Sequence, residues 1–267
     1  MRGDNLWRIL EAGARVTTTE DMTAAEAVDF DRLHNLRDLG GLAALGGGVT
    51  RHGVLFRSES LEHASEADDA HLRHVVGLRT IVDLREVAHA DESGRGSLTI
   101  AVEGVAPIDY VQLPCHDRDV TPDTRHLYYT GLLQSNGAQF AGLVRRVAAA
   151  GTVPMLVHCA LGCDRTGTVI AMLLRLAGVT DEEICADYAR SAAAAPAIRF
   201  RAETLRRAQG LDPLDEAFYG AWANREEIMA DTLALVDAKW GSMHGWATTH
   251  GLRAGEIDAL RTVLIDD

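Results

Sequence analysis

The sequence predicts an α/β fold in which a central sheet is flanked by helices and carries a helical insertion toward its carboxyl end. Three observations predict it. Short apolar runs of strand length, VLFRS (54–58), TIVDLR (80–85) and PMLVH (154–158), recur along the chain. Amphipathic helical patterns separate them, the arrangement expected of strands linked by helices. A chain of 267 residues with 47% hydrophobic content is long and apolar enough to bury a substantial core.

In chain order, residues 1–30 read as an N-terminal helical extension with a polar interruption, TTTEDMT, and residues 31–267 as the main domain. NLRDLGGL (35–42) and VTRHGVLFRSESL (49–61) read as short strands around glycine turns. SEADDAHLRHVVGL (65–78) is helical, with acids early and Leu72, Val75 and Val76 on one face. TIVDLR is a buried strand, and PIDYVQLPCHDRD (107–119) offers another that ends at Pro114 and opens into a polar loop. Residues 123–150 form two helices parted near Asn136 and Gly137. PMLVH leads into the helix GTVIAMLLRLAG, closed by Gly178. DEEICADYARS (181–191) begins a further helix with acids at its positive end. Residues 192–230 suit a helical pair, a lid over the core, and the tail carries at least two more helices.

The formal charge of −13, from 39 acidic and 26 basic residues, argues against a nucleic-acid partner, because phosphate backbones are held by basic surfaces. An anionic ligand must be captured locally. Lys239 is the one lysine, so the available cations are arginines, whose planar fork suits phosphate and carboxylate oxygens. The opening MRGDNLWRILEAGARV lacks the apolar run of a secretion signal or membrane span, so the expected compartment is the cytoplasm, with non-classical secretion left open and no stable membrane association. Cys115, Cys159, Cys163 and Cys185 show no C-x-x-C pair, which predicts neither a metal site nor a disulfide framework. No cofactor is expected.

The chemistry concentrates in HCALGCDRTG, residues 158–167, between a strand and a helix. A strand-to-helix turn aims successive backbone N–H groups and the positive end of the helix at one point, which suits phosphate. Ala160, Leu161, Gly162, Cys163, Asp164 and Arg165 would line that cradle. Gly162 lets it close tightly, and Arg165 returns to clamp two oxygens. Cys159 lies at a helix N-terminus beside cations, the setting that favours a nucleophilic thiolate, and Thr166 could donate a hydrogen bond to it. His158 would order the loop from behind.

These residues resemble the cysteine phosphatase signature H-C-x-x-G-x-x-R-[S/T], and most closely the bacterial tyrosine/lipid phosphatase family whose loop reads HC-x-x-GKDRTG. NLRDLGG, VLFRSESL, TIVDLREV, DEEICADYARS and WGSMHGW (240–246) resemble further motifs of that family, so the likeness covers about residues 35–265. The resemblance implies a tyrosine-phosphatase-like sheet core, a mobile helical lid and hydrolysis of phosphomonoesters through a phosphocysteine. It implies Cys159 as nucleophile, Arg165 as oxyanion clamp and Asp164 as the residue that orients substrate or water. It places a general acid in the loop after the L-P strand, at Asp117, with Asp119 two residues on. One departure stands out: the family's loop lysine is Cys163 here.

The expected substrate is a phosphotyrosine protein. A small phosphorylated metabolite (nucleotide or sugar phosphate) or a phosphoinositide is the alternative, and a non-catalytic module that binds phosphorylated groups is a third reading that the presence of both Cys159 and Arg165 disfavours. Arg37, Asp38, Arg57 and Asp83 read first as structural ion pairs, Arg199, Arg201, Arg206 and Arg207 as a solvated helix face, and Cys185 as core.

Overall fold

The computed structural model describes residues 30–115, 125–208, 210–213 and 225–266. The expected helical extension at 1–30 falls outside these apart from Phe30. Five strands form the main sheet: β1 (Arg37–Asp38), β3 (Leu55–Ser58), β4 (Thr80–Asp83), β5 (Asp109–Gln112) and β6 (Met155–His158). Their spatial order is β1-β3-β6-β4-β5. The last four run parallel, and β1 pairs antiparallel with β3. A second, two-stranded sheet joins β2 (Val49–Thr50) to β7 (Ile265–Asp266), a pairing too short to leave a periodic signal in the sequence.

Side chains alternate across a strand, and the sheet uses both faces. Phe56, Leu156 and Ile81 point to one side, where they meet Leu33, Leu36, Leu61, Leu72, Leu78 and Leu98. Leu55, Met155, Val157 and Val82 point to the other, under the larger helical layer. That layer holds α3 (Arg125–Ser135), α4 (Gly137–Val147), α5 (Asp164–Ala177), α7 (Glu226–Trp240), α8 (Met243–Thr249) and α9 (Ala254–Leu264). The expected α/β class, a central sheet flanked by helices, is what the chain adopts.

Boundaries follow local chemistry. The break between α3 and α4 falls at Asn136, as expected, and Gly178 closes α5 in the left-handed conformation at φ +91°. Ser65 caps α1 (Glu66–Ala70) in a full capping box with Asp68. The face predicted for Leu72, Val75 and Val76 requires correction, because Val75 is 67% exposed while Leu72 is buried. A π-turn over His71–Val75, closed by Val76 N–H to His71 O at 3.0 Å, inserts one residue and throws the 3.6-residue phase out of step.

The helix that begins at Asp181 does not stop near 192 but runs unbroken to Ala208 as α6, with Pro196 inside it. At 28 residues it spans roughly 42 Å. The first part of the expected lid, 192–208, is therefore its second half, and residues 209 and 214–224 lie outside the described residues. No helix among the described residues is long and apolar enough to cross a membrane.

Trp246 anchors the tail to the helical layer. It is fully buried, and its indole N–H donates to Leu133 O at 2.9 Å. Trp246→Ala removes a large buried ring and is expected to lower the unfolding free energy by about 3–5 kcal/mol, read from urea denaturation. An unchanged midpoint would mean that the tail does not stabilise the core.

Candidate active site

β6 lies between β3 and β4, so its carboxyl end opens where the chain order of the parallel strands reverses, the place where ligands bind in open α/β sheets. The turn Cys159–Cys163 leaves from this end and enters α5 at Asp164. Ser58 of β3 and Asp83 of β4 are both in register with His158 and flank the turn.

Every carbonyl of the turn has a donor, and those of Ala160, Leu161 and Gly162 are held by residues far from it in the chain. Ser60 N–H donates to Ala160 O at 3.1 Å, Asn35 Nδ2 to Leu161 O at 2.9 Å, and Arg57 Nη2 to Gly162 O at 2.8 Å. His158 Nδ1 donates to Cys159 O at 3.2 Å, and Gly167 N–H to Cys163 O at 2.8 Å. In a trans peptide the N–H points opposite to its C=O, so these ties turn the following N–H groups toward the inside of the loop. Among the described residues the N–H groups of Ala160, Leu161, Gly162, Asp164 and Arg165 have no protein acceptor. Several such donors on one turn suit an anion.

Gly162 makes the closure possible. Its φ is +70°, and a Cβ there would lie 2.4 Å from Ser58 O and 2.8 Å from Asn35 Nδ2. Cys159 sits at the base, 3% exposed. Arg165 is half-buried, and its Nη1 donates to Leu84 O at 3.4 Å, which holds the guanidinium against the end of β4. Burial works against the Arg165 charge, but electrostatic interaction with the neighbouring Cys159 is the largest influence opposing it, and the Arg165 pKa is held above the ordinary value.

His158 lies behind the loop as expected, fully buried, with Nε2 3.7 Å from Asp83 Oδ2. Burial lowers its pKa, so the imidazole is neutral, and the bond to Cys159 O places its proton on Nδ1. Thr166 is fully buried, and its Oγ1 has no hydrogen-bond partner; the expected bond to Cys159 is not made here. Asp164 Oδ1 accepts from Tyr129 OH at 2.5 Å, Tyr129 OH meets Tyr188 OH at 2.7 Å, and Arg125 Nε stands 4.0 Å from the same carboxylate oxygen. Burial, followed by Asp164, pushes the Tyr129 phenol far above its ordinary range, so it stays a donor.

Cys163, which stands where the resembled family carries its loop lysine, is buried, with its sulfur toward Asn35. Its thiol donates to Leu161 O at 3.4 Å and receives Asn35 Nδ2 at 3.7 Å. Asp117 and Asp119 lie outside the described residues. Cys115, two residues before Asp117, is described: its N–H donates at 3.3 Å to Leu84 O, the same carbonyl that receives Arg165. Burial pushes the Cys115 thiol up to about 12.

The ion pairs read from the sequence are present. Asp187 holds Arg37 and Arg57 at 2.7 and 2.5 Å, Asp83 pairs with Arg85 at 2.7 Å, and Asp38 organises a turn by accepting from the N–H groups of Gly40 and Gly53. Of the lid arginines, Arg201 pairs with Glu59 at 3.3 Å, Arg207 with Glu203 at 3.7 Å, Arg199 with Glu203 at 3.2 Å, and Arg206 donates to Asp212 O. Sequence reasoning missed Asn35 and the Tyr129–Tyr188 pair as neighbours of the loop. Asn35 opens the NLRD stretch, and that position was its one available signal.

Comparison with known proteins completes this picture. The family model described as the tyrosine phosphatase family matches residues 28–266. The chain belongs to the tyrosine phosphatase family. This phosphatase is 31% identical over 228 residues to a Cupriavidus necator protein named "Putative tyrosine-protein phosphatase", covering 81% of each chain. It is 28% identical over 272 residues to the triple specificity protein phosphatase PtpB of Mycobacterium tuberculosis, covering 86% of this chain and 96% of that one. The solved structure of P. aeruginosa TpbA aligns at 18% identity and a TM-score of 0.37, over 75% of this chain and 88% of that one. The protein is a phosphoric monoester hydrolase of the cysteine-dependent, tyrosine-phosphatase-like class.

Because Gly162 combines positive φ with contact to Ser58 O, Gly162→Ala forces the loop to shift. A strain of about 1–3 kcal/mol corresponds to roughly 5- to 150-fold weaker binding of inorganic phosphate, measured by competitive inhibition. Wild-type inhibition by phosphate in a folded Gly162→Ala protein would show that the loop does not bind the anion.

Proposed function

We propose that this phosphatase hydrolyses phosphotyrosine in proteins, with the loop 159–165 as its phosphate site and Cys159 as its nucleophile. The observation that carries the site is the run of N–H groups at Ala160, Leu161 and Gly162 left without a protein acceptor among the described residues while the carbonyls around them are tied, directly after Cys159 and with Arg165 at the end of the loop. The names of the two relatives, a tyrosine-protein phosphatase and a triple specificity protein phosphatase, support the substrate class. Cys163 supplies no positive charge where relatives of the HC-x-x-GKDRTG type carry lysine, which favours singly phosphorylated substrates over phosphoinositides or polyphosphorylated metabolites.

In this reading the ester phosphate settles among the loop N–H groups while Arg165 takes two of its oxygens. The Cys159 thiolate attacks phosphorus in line, the bond to the ester oxygen breaks, and that oxygen takes a proton from the general acid. Asp117 is that acid: the chain carrying it departs from Cys115, which shares the Leu84 carbonyl with Arg165. Water then attacks the phosphocysteine, giving up its proton to the same carboxylate, and the P–S bond breaks to release inorganic phosphate. The unpartnered hydroxyl of Thr166 is available to the departing thiolate. Asp164, already an acceptor for Tyr129, suits the orienting of substrate or water rather than proton donation.

Cys159→Ser is expected to abolish hydrolysis of p-nitrophenyl phosphate while the protein still binds phosphate; near-wild-type turnover would exclude the covalent route. Asp117→Asn is expected to cost about 10² to 10⁴ in rate on phosphotyrosine peptides and far less on an activated ester whose leaving group needs no proton. Equal losses on both esters would remove Asp117 as the acid.

A further inference from the structure

The outer ties of the loop converge on a buried carboxylate that no step of the chemistry uses. Asp187 lies on α6, and its side chain is 1% exposed. Its Oδ2 accepts from Arg57 Nη1 at 2.5 Å, and Arg57 Nη2 donates onward to Gly162 O. Its Oδ1 accepts from Arg37 Nε at 2.7 Å, and Arg37 Nη1 donates to Asn35 Oδ1 at 2.6 Å. That contact fixes the orientation of the Asn35 amide, whose Nδ2 reaches Leu161 O. One turn further along α6, Ser191 Oγ receives both guanidinium groups, at 3.2 and 3.3 Å.

The two arms end on adjacent peptides. Leu161 O belongs to the plane that carries the Gly162 N–H, and Gly162 O to the plane that carries the Cys163 N–H. Asp187 also separates two buried cations. Burial and then the charge of Arg57 lower the Arg37 pKa to about 10, and Asp187 opposes both. Without the carboxylate, two guanidinium groups would face each other with no counter-ion, and each would swing away from the acceptor it now aims at.

We propose that Asp187 is a positioning residue for the phosphate loop: through Arg57 and through Arg37 and Asn35 it sets the tilt of two adjacent peptide planes of the loop, the first of which carries the Gly162 N–H toward the reacting phosphate. The proposal rests on the reading that residues 159–165 bind phosphate. It also gives α6 a role in the chemistry, since the helix that carries Asp187 packs Ala194 and Ile198 against Leu161 of the same loop.

The test uses the full chain with Asp187→Asn, Asn35→Ala and the double variant. Inhibition by inorganic phosphate and by vanadate, which takes the five-coordinate geometry of the transition state, is measured beside KM, kcat and the thermal midpoint. Asp187→Asn is expected to weaken phosphate binding about tenfold and vanadate binding by more, in line with the cost of small misplacements in a pre-organised site. Asn35→Ala, which leaves the ion pairs intact, is expected to shift the same constants in the same direction. The double variant is expected to fall short of the product of the single effects, because both act on one path.

Wild-type phosphate and vanadate constants in a folded Asp187→Asn protein would overturn the proposal, as would independent, multiplicative effects. If Asp187→Asn does not fold, Asp187→Glu takes its place: wild-type phosphate and vanadate constants in it overturn the proposal, and weakening of both, shared with Asn35→Ala, supports it. Titration of Cys159→Ser with phosphate separates the two readings: no binding there overturns the phosphate loop itself, whereas normal binding beside a silent Asp187→Asn overturns only the positioning role.

Discussion

The site depends on the outward anchoring of the carbonyls in the turn after β6. A backbone N–H can meet an anion only if its peptide plane is turned the right way, and a glycine-containing turn has no intrinsic preference strong enough to fix five such planes. Here the surroundings fix them. Ser60, Asn35, Arg57 and His158 each take one carbonyl from outside, so the donors face inward before any ligand arrives. Preorganised donors stabilise developing charge without a reorganisation cost at the moment of reaction, and that is the physical basis proposed for catalysis here.

Much of the sheet's buried charge serves this anchoring. Arg57 is 1% exposed and Asp187 equally buried, a pairing that is costly to desolvate and that a hydrophobic pair would replace with little loss of stability. Its value lies in direction. A guanidinium aimed at Gly162 O holds a peptide plane in a way that no apolar side chain can. The Asp83–Arg85 pair plays a related part on the other flank, where Asp83 also accepts from Tyr110 and lies beside the neutral His158. α6 couples to the loop because it is one continuous helix: Asp187 and Ser191 near its start, Ala194 and Ile198 in its middle and Arg201 further on all face the strand ends around the turn.

Those parts of the site that consist of local spacing were legible in the sequence. Cys159, Gly162 and Arg165 are read from a strand, a glycine and a helix start, because backbone geometry over a few residues fixes their relation. The sheet was legible for the same reason, through short apolar runs with period two. What stayed hidden depends on contacts across long stretches of chain. Asn35 reaches Leu161 over 126 residues, and nothing near position 35 states which carbonyl it meets. Cys163 shares its spacing with a rim residue, yet Asn35 gives its sulfur a partner on the outer wall. Val75 left its predicted face because one π-turn hydrogen bond replaced an α one, a local choice that periodicity cannot register. The expected break near 192 does not occur because the alanine-rich stretch after Ser191 is itself a strong helix former, and Pro196 does not end the helix.

The most direct test of this account is to trap the phosphoenzyme. Wild-type protein mixed with a phosphate-labelled aryl ester, quenched within one turnover and digested under conditions that preserve thiophosphate esters, should carry label on the peptide that contains Cys159 and lose it in Cys159→Ser. Label on another residue, or turnover with no covalent phosphoenzyme at Cys159, would contradict the claim that the anchored loop presents phosphate to that sulfur.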